Sequence, residues 1–163
     1  MLKIGGKLWM YTPRTDRIIL IAGHLLRQSM MGSDLSYEDM MEDHKLSNAY
    51  AATLEGYEDF EGTRLAILHL IAYDKKTTYQ TRKAWVNPEN KTVLKEERFA
   101  KSGKILKRIL FKDYEEIAGR IFPRTMIFKD LLKKNTKTTY KFDVIEFDVE
   151  IPDRYFSQSI LKR

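Results

Sequence analysis

The sequence predicts a mainly β, α+β fold: one domain, residues 1–163, built as a curved antiparallel meander with a single helical insertion. Three observations predict it. Strand-like runs rich in β-branched and aromatic residues recur with turn residues between them. The connections between runs are only a few residues long, which permits antiparallel neighbours and excludes parallel crossovers. One stretch, residues 23–48, lacks strand character altogether.

Taken in order, runs 7–12 and 17–22 flank Pro13-Arg14-Thr15-Asp16, a hairpin loop. Runs 49–57 and 63–72 flank Glu58-Asp59-Phe60-Glu61-Gly62, and runs 79–86 and 92–101 flank Asn87-Pro88-Glu89-Asn90. Run 104–115 follows Ser102-Gly103, run 120–131 follows Ala118-Gly119, and a last run, 137–147, precedes Pro152. The expected sheet has about nine strands, several of them about ten residues long, and such a sheet twists and curls toward a half-barrel. Runs 18–21 and 65–68 are apolar on both faces, as in strands covered on both sides.

The interruption reads as helix. Residues 24–31 fit two helical turns ended by Gly32, and Ser36 with Asp39 three positions later forms a capping box for a helix over 37–43. Met30, Met31, Met40 and Met41 fall here, with Met10 nearby. Methionine is flexible and polarisable, which suits either gap-filling or a surface that accepts variable apolar partners.

Composition bounds the rest. The 163 residues are 43% hydrophobic and 32% charged, an ordinary globular balance. The longest apolar run, 65–72, is broken by His69 and falls short of the ~20 residues of a spanning helix. Cysteine is absent, which excludes disulfides and thiolate chemistry. Met1-Leu2-Lys3-Ile4-Gly5-Gly6 has no apolar signal core, so no secretory signal is expected in this stretch. Residues 1–80 carry 9 Lys/Arg and 11 Asp/Glu, while residues 81–163 carry 20 and 12. The basic residues alternate with apolar ones and form no dense block, so a solvated sheet face is expected rather than a nucleic-acid partner.

Catalytic signatures are missing. His24, Asp34, Glu38, Asp39, Glu42, Asp43 and His44 cluster in sequence, but the carboxylates follow a loop and a first helical turn, where the helix dipole favours them. Their spacing does not match a zinc site. His69 reads as a satisfied strand histidine. Glu96-Glu97 and Glu115-Glu116 are adjacent strand residues that point to opposite faces. Phosphate loops and nucleophile elbows are not found. No catalytic residue, metal or cofactor is assigned, and enzyme activity is not expected.

One resemblance covers essentially the whole chain. Lys7-Leu8-Trp9-Met10-Tyr11-Thr12-Pro13-Arg14-Thr15-Asp16-Arg17, then Gly23-His24, then Gln28-Ser29-Met30-Met31-Gly32-Ser33-Asp34-Leu35-Ser36-Tyr37-Glu38-Asp39-Met40, closely resemble bacterial outer-membrane lipoprotein-sorting proteins with a LolA-like fold. Lys95-Glu96-Glu97, Ala100-Lys101-Ser102-Gly103-Lys104, Phe128-Lys129-Asp130 and Ile151-Pro152-Asp153 agree with it. The resemblance implies an unclosed antiparallel half-barrel with short helices over its concave face, and a periplasmic carrier of lipid or lipoprotein acyl chains. Each methylene kept from water is worth ~0.8 kcal/mol, so a lipid anchor needs such a shield to cross an aqueous compartment. A non-catalytic docking module for envelope proteins on the same scaffold is the alternative.

The resemblance also implies that a helix and further strands precede the position matching Leu2-Lys3-Ile4-Gly5, so the chain is expected to lack an N-terminal part. That loss leaves an exposed edge and predicts dimerisation, swapping or a bound hydrophobic molecule. Cargo contacts are assigned to Leu25, Leu26, Met30, Met31, Leu35, Met40 and Met41, with Trp9, Trp85, Phe99 and Phe111 as wall residues. Arg14, Arg17 and Arg27 are assigned to an anionic head group or an acidic partner, such as an inner- or outer-membrane envelope protein.

Overall fold

The computed structural model describes residues 1–42 and 45–162. The chain packs as two compact units, Met1–Asp43 with Glu146–Arg163, and His44–Ile145.

The larger unit is a seven-stranded sheet: β4 (Tyr50–Phe60), β5 (Thr63–Ala72), β6 (Thr81–Val86), β7 (Val93–Phe99), β8 (Ile105–Ile117), β9 (Arg120–Asp130) and β10 (Thr138–Lys141). Here the chain order is also the sheet order, with every neighbour antiparallel and the sheet left unclosed between β4 and β10. Turn chemistry sets this up. Glu61 and Gly62 both take positive φ (49° and 80°), as do Ala118 and Gly119 (50° and 75°). That is the two-residue turn whose twist matches the twist of the flanking strands. The β4–β5 turn is therefore shorter than the five-residue loop the sequence suggests, because Glu58, Asp59 and Phe60 stay in the ladder. The β10 strand is likewise shorter than the expected run. The pairing closes on one last bond, Phe142 N–H to the Arg124 carbonyl at 2.9 Å, and beyond it the Phe142 and Asp143 carbonyls accept from the Arg124 guanidinium at 3.1 and 3.0 Å.

The two faces differ in chemistry. Ladder pairing puts Leu65, Ile67, Trp85, Lys95, Leu110 and Ile127 on one face. There Trp85 is buried, donates to Glu58 at 2.8 Å and lies under the Lys95 ammonium, 3.5 Å from the ring centre. The other face carries Tyr50, Leu70 and Ala84 as a small apolar core, and further along Ile109 and Phe128. Set into this buried face is a charge cluster. Arg82, only 1% exposed, donates to Glu96 at 2.9 Å, and Arg98 donates to the same Oε1 at 2.7 Å. The Arg82 guanidinium also lies 4.5 Å from the Tyr50 ring centre, and Arg98 5.2 Å from that of Tyr79.

The smaller unit holds β1 (Leu2–Ile4), β2 (Lys7–Thr12) and β3 (Arg17–Ile21) in that order, plus α1 (Tyr37–Met41). Leu8 and Ile21 pair directly and are both buried. Met10 shares their face and receives the Tyr37 hydroxyl at 3.7 Å, while Lys3 donates to the Met41 carbonyl at 2.9 Å, so α1 lies over that face. Lys162, in the C-terminal 3-10 turn, donates to the Asp16 carboxylate at 3.1 Å, and this bond holds the Asp16 carboxyl below its usual range. The continuous meander expected from sequence is thus two sheets. The non-strand segment separates β3 from β4, and the described residues of the two strands do not pair. Nor are Ile19 and Leu20 covered on both sides; each is exposed.

Two predictions follow from the larger unit. Glu96→Gln leaves two buried guanidinium groups without that carboxylate and lowers the unfolding free energy by about 3 kcal/mol. Urea denaturation reads the loss, and a change under about 1 kcal/mol contradicts the cluster's role. Tyr114 donates to the Val93 carbonyl, and burial pushes its hydroxyl from 10.0 up to about 12. The folded protein therefore holds the proton after the unfolded chain has lost it. That stability is complete below pH ~10 and disappears as pH climbs toward ~12. Tyr114→Phe removes this component of the alkaline slope in pH-dependent denaturation.

Candidate functional site

Residues 23–42 form the segment on which the sequence concentrates its methionines. It is not the pair of regular helices expected. A 3-10 turn, Gly23–Arg27, starts with Gly23 at φ 58°, and a second, Met30–Gly32, follows after an extended Gln28 and Ser29. The helix stops because Ser29 bridges to Ser36, closing a loop held by Met30 N–H to Leu35 O at 2.8 Å and Tyr37 N–H to Gln28 O at 3.2 Å. Inside it the Ser33 hydroxyl donates to Met30 O at 2.6 Å, and the Ser29 hydroxyl donates to Ser33 O.

This loop treats its two methionines oppositely. Met30 is turned inward and buried, while Met31 sits at φ 50°, ψ 35° with 76% of its surface exposed. A non-glycine residue in the left-handed region costs on the order of 1 kcal/mol, and here that conformation presents an apolar side chain to water. Leu35 is 2% exposed, so it is core. Past it the capping box forms as the sequence predicts: Asp39 N–H donates to Ser36 Oγ at 3.2 Å, and Ser36 N–H donates to Asp39 Oδ2 at 2.7 Å. Asp39 is thereby a structural carboxylate. The helix ends at Met41, and position 43 of the expected helix lies outside the described residues.

The other assigned residues scatter. Leu25, Leu26 and Met41 are half-buried and Met40 is exposed; Trp9 is half-buried; Arg14, Arg17 and Arg27 are exposed. All of these belong to the smaller unit. In the larger unit Trp85 and Phe99 share one face, whereas Phe111 pairs with Met126 on the opposite face, so the sheet does not gather these three rings. Sequence reasoning missed the Arg82–Glu96–Arg98 cluster, because alternation alone does not say which strand face is buried. It also missed a cleft of about 400 Å³ lined by Tyr57, Gly62, Thr63, Arg64, Asn87, Pro88 and Glu89, where two hairpin ends meet. Arg64 lies over the Tyr57 ring there, 4.8 Å from its centre.

Among the described residues no three His, Asp or Glu side chains converge as a metal site, with Asp43 and His44 of the sequence cluster outside that set. No helix among them is long and apolar enough to cross a membrane.

A family model described as "Uncharacterized protein" matches residues 1–163. The chain belongs to that family. Its fold is LolA-like. A DUF1329 family protein from Desulfovibrio piger superposes with a TM-score of 0.88 over 98% of the chain at 26% identity. An outer membrane lipoprotein-sorting protein domain from Vibrio parahaemolyticus gives 0.82 over 98% at 24%, and a LolA superfamily protein from Nitrosomonas europaea gives 0.76 over 96% at 24%. At such identities the likeness of the last two is one of fold. The chain spans about two thirds of these structures, 66%, 68% and 69% of their lengths. No curated protein matches the chain. The unclosed antiparallel sheet expected from the resemblance is therefore present.

Met31→Gly tests whether the exposed methionine is held against its own preference. Glycine adopts the same φ without strain and gives up no burial, so thermal unfolding should shift upward by the equivalent of about 1 kcal/mol. An unchanged or lowered midpoint means the loop carries no such strain.

Proposed function

We propose that the protein is a periplasmic, non-catalytic carrier that binds the acyl chains of a lipid or lipoprotein during outer-membrane lipoprotein sorting. The observation that carries this reading is the display of large apolar side chains on the smaller unit. Met31 and Met40 on the helical segment are exposed, as is Ile19 on the small-sheet face that α1 lies over; Ile4 and Leu20 are exposed on the opposite face of that sheet. Apolar side chains in such number on a small unit mark a surface that spends part of its time covered. Methionine suits a cargo whose chains vary in length and branching, because its side chain re-packs at little cost. Leu25, Leu26 and Met41, half-buried in the same unit, complete the proposed contact, with Met30 and Leu35 as its floor; Trp9, paired with Leu20 on the other face of the small sheet, is proposed as a wall there. Arg14, Arg17 and Arg27 are exposed in the same unit and suit an anionic head group or an acidic envelope partner. The LolA-like fold supports the reading, since one of its neighbours is described as a lipoprotein-sorting domain.

A second reading, docking of a partner strand or a second copy, rests on a different observation. β4 is an eleven-residue edge strand, largely exposed, whose ladder is interrupted by one bulge between Leu54 and Gly56 and whose charged residues are all acidic.

Uptake of a dansyl-labelled fatty acid distinguishes the two. A carrier takes up the probe, and Met31→Asp with Met40→Asp weakens it by about thirtyfold, each lost apolar contact being worth roughly 1 kcal/mol. Since both positions are exposed, the variants keep their fold. A wild-type protein that ignores the probe but forms a concentration-dependent dimer by light scattering favours strand docking instead.

A further inference from the structure

In a sequential antiparallel sheet the connections alternate between its two ends. The pairs Ile71–Thr81, Thr81–Phe99, Phe99–Ile105 and Phe128–Thr138 put connections 73–80, 100–104 and 131–137 at one end. The pairs Phe60–Thr63, Val86–Val93 and Ile117–Arg120 put 61–62, 87–92 and 118–119 at the other. Charge follows this division sharply. The first set carries seven lysines and one carboxylate, Asp74; the second carries Glu61, Glu89 and Lys91. Asp74 is turned to its own loop, where it accepts the Lys76 N–H at 2.8 Å.

Lys75, Lys76, Lys101, Lys104, Lys134 and Lys137 at the basic end are all exposed. On the two outer connections, either side of Lys101 and Lys104, two large side chains protrude into water, Tyr73 at 64% and Leu132 at 58% exposed. An aliphatic tip and a tyrosine, each followed by exposed lysines on its own connection, are a combination with a specific fit. A bilayer interface accepts leucine into the acyl boundary and tyrosine at head-group level, and its anionic phosphates draw lysine. A folded acidic protein would match the charge but give the scattered apolar tips no common plane to enter. Duplex nucleic acid would leave Leu132 in water.

We propose that this end of the seven-stranded sheet is a peripheral membrane-docking surface for anionic phospholipid. Leu132 and Tyr73 enter the interface, and the lysines of the three connections hold the head groups. The surface operates whether or not acyl cargo is bound, so it stands apart from the carrier reading.

Sedimentation with vesicles tests it, comparing phosphatidylcholine alone with phosphatidylcholine containing phosphatidylglycerol. The wild-type chain should pellet only with the anionic vesicles, and less as ionic strength rises. Each lysine near such a surface is worth about fivefold in partitioning, so Lys101→Glu with Lys104→Glu should weaken binding by more than tenfold. Leu132→Gln should weaken it severalfold and leave the salt dependence unchanged. Lys91→Glu with Arg120→Glu makes the same change in net charge at the far end and should alter binding by less than about twofold. Equal loss from both charge reversals means net charge rather than this surface draws the protein, and overturns the proposal. So does binding to both vesicle types alike, to neither, or to duplex DNA in preference to vesicles.

Discussion

Glu96 stands between two guanidinium groups on a sheet face that water barely reaches, 2.9 Å from Arg82 and 2.7 Å from Arg98. A carboxylate in such a place is tolerable only when its partners are fixed, because the cost of removing charge from water is recovered only in good geometry. The tyrosines supply that geometry. Tyr50 lies against Arg82 and donates to the Tyr79 carbonyl at 2.9 Å, which ties β4 to the β5–β6 connection beside the cluster. A one-residue slip of β6 against β7 would turn Glu96 away from Arg82 and send every neighbouring apolar side chain to the wrong face. Register across the middle of the sheet is thus specified twice, once by hydrophobic burial and once by charge.

Much of this architecture was legible because it rests on local rules. β2 and β5 span the runs that their composition and flanking turns marked, and the capping box at Ser36 and Asp39 follows from spacing alone. Where the reading failed, non-local contacts decide. Residues 24–31 satisfy a helical pattern, yet the Ser29–Ser36 bridge pulls the chain out of helix, and nothing short of the folded loop reveals that pairing. The methionines looked equivalent in sequence, but a single left-handed residue separates buried Met30 from exposed Met31. Trp85, Phe99 and Phe111 looked like one aromatic wall until register put Phe111 on the far face. The lysine excess of the C-terminal half looked diffuse for the same kind of reason. That five of those lysines join Lys75 and Lys76 at one end of the sheet emerges only when alternate hairpins are folded to the same side.

The two compact units divide the chemistry. The smaller one displays apolar side chains on a short helical segment whose backbone is pinned by hydrogen bonds; the larger one is a rigid sheet with charge at its core and lysine at one rim. A carrier of acyl chains depends on the first kind of surface. It must shield several methylenes strongly enough to overcome water, at ~0.8 kcal/mol each, yet weakly enough to let them go. Exposed methionines on a pinned loop suit that balance, since they offer contact area without enclosing the cargo completely.

Native mass spectrometry of the gently purified chain, followed by organic extraction, tests the carrier reading most directly. A carrier flies with adducts whose extracted masses are those of acyl lipids, and stripped protein regains them when lipid is added. Bare protein mass in both cases would contradict acyl-chain binding and leave the exposed methionines to a protein partner.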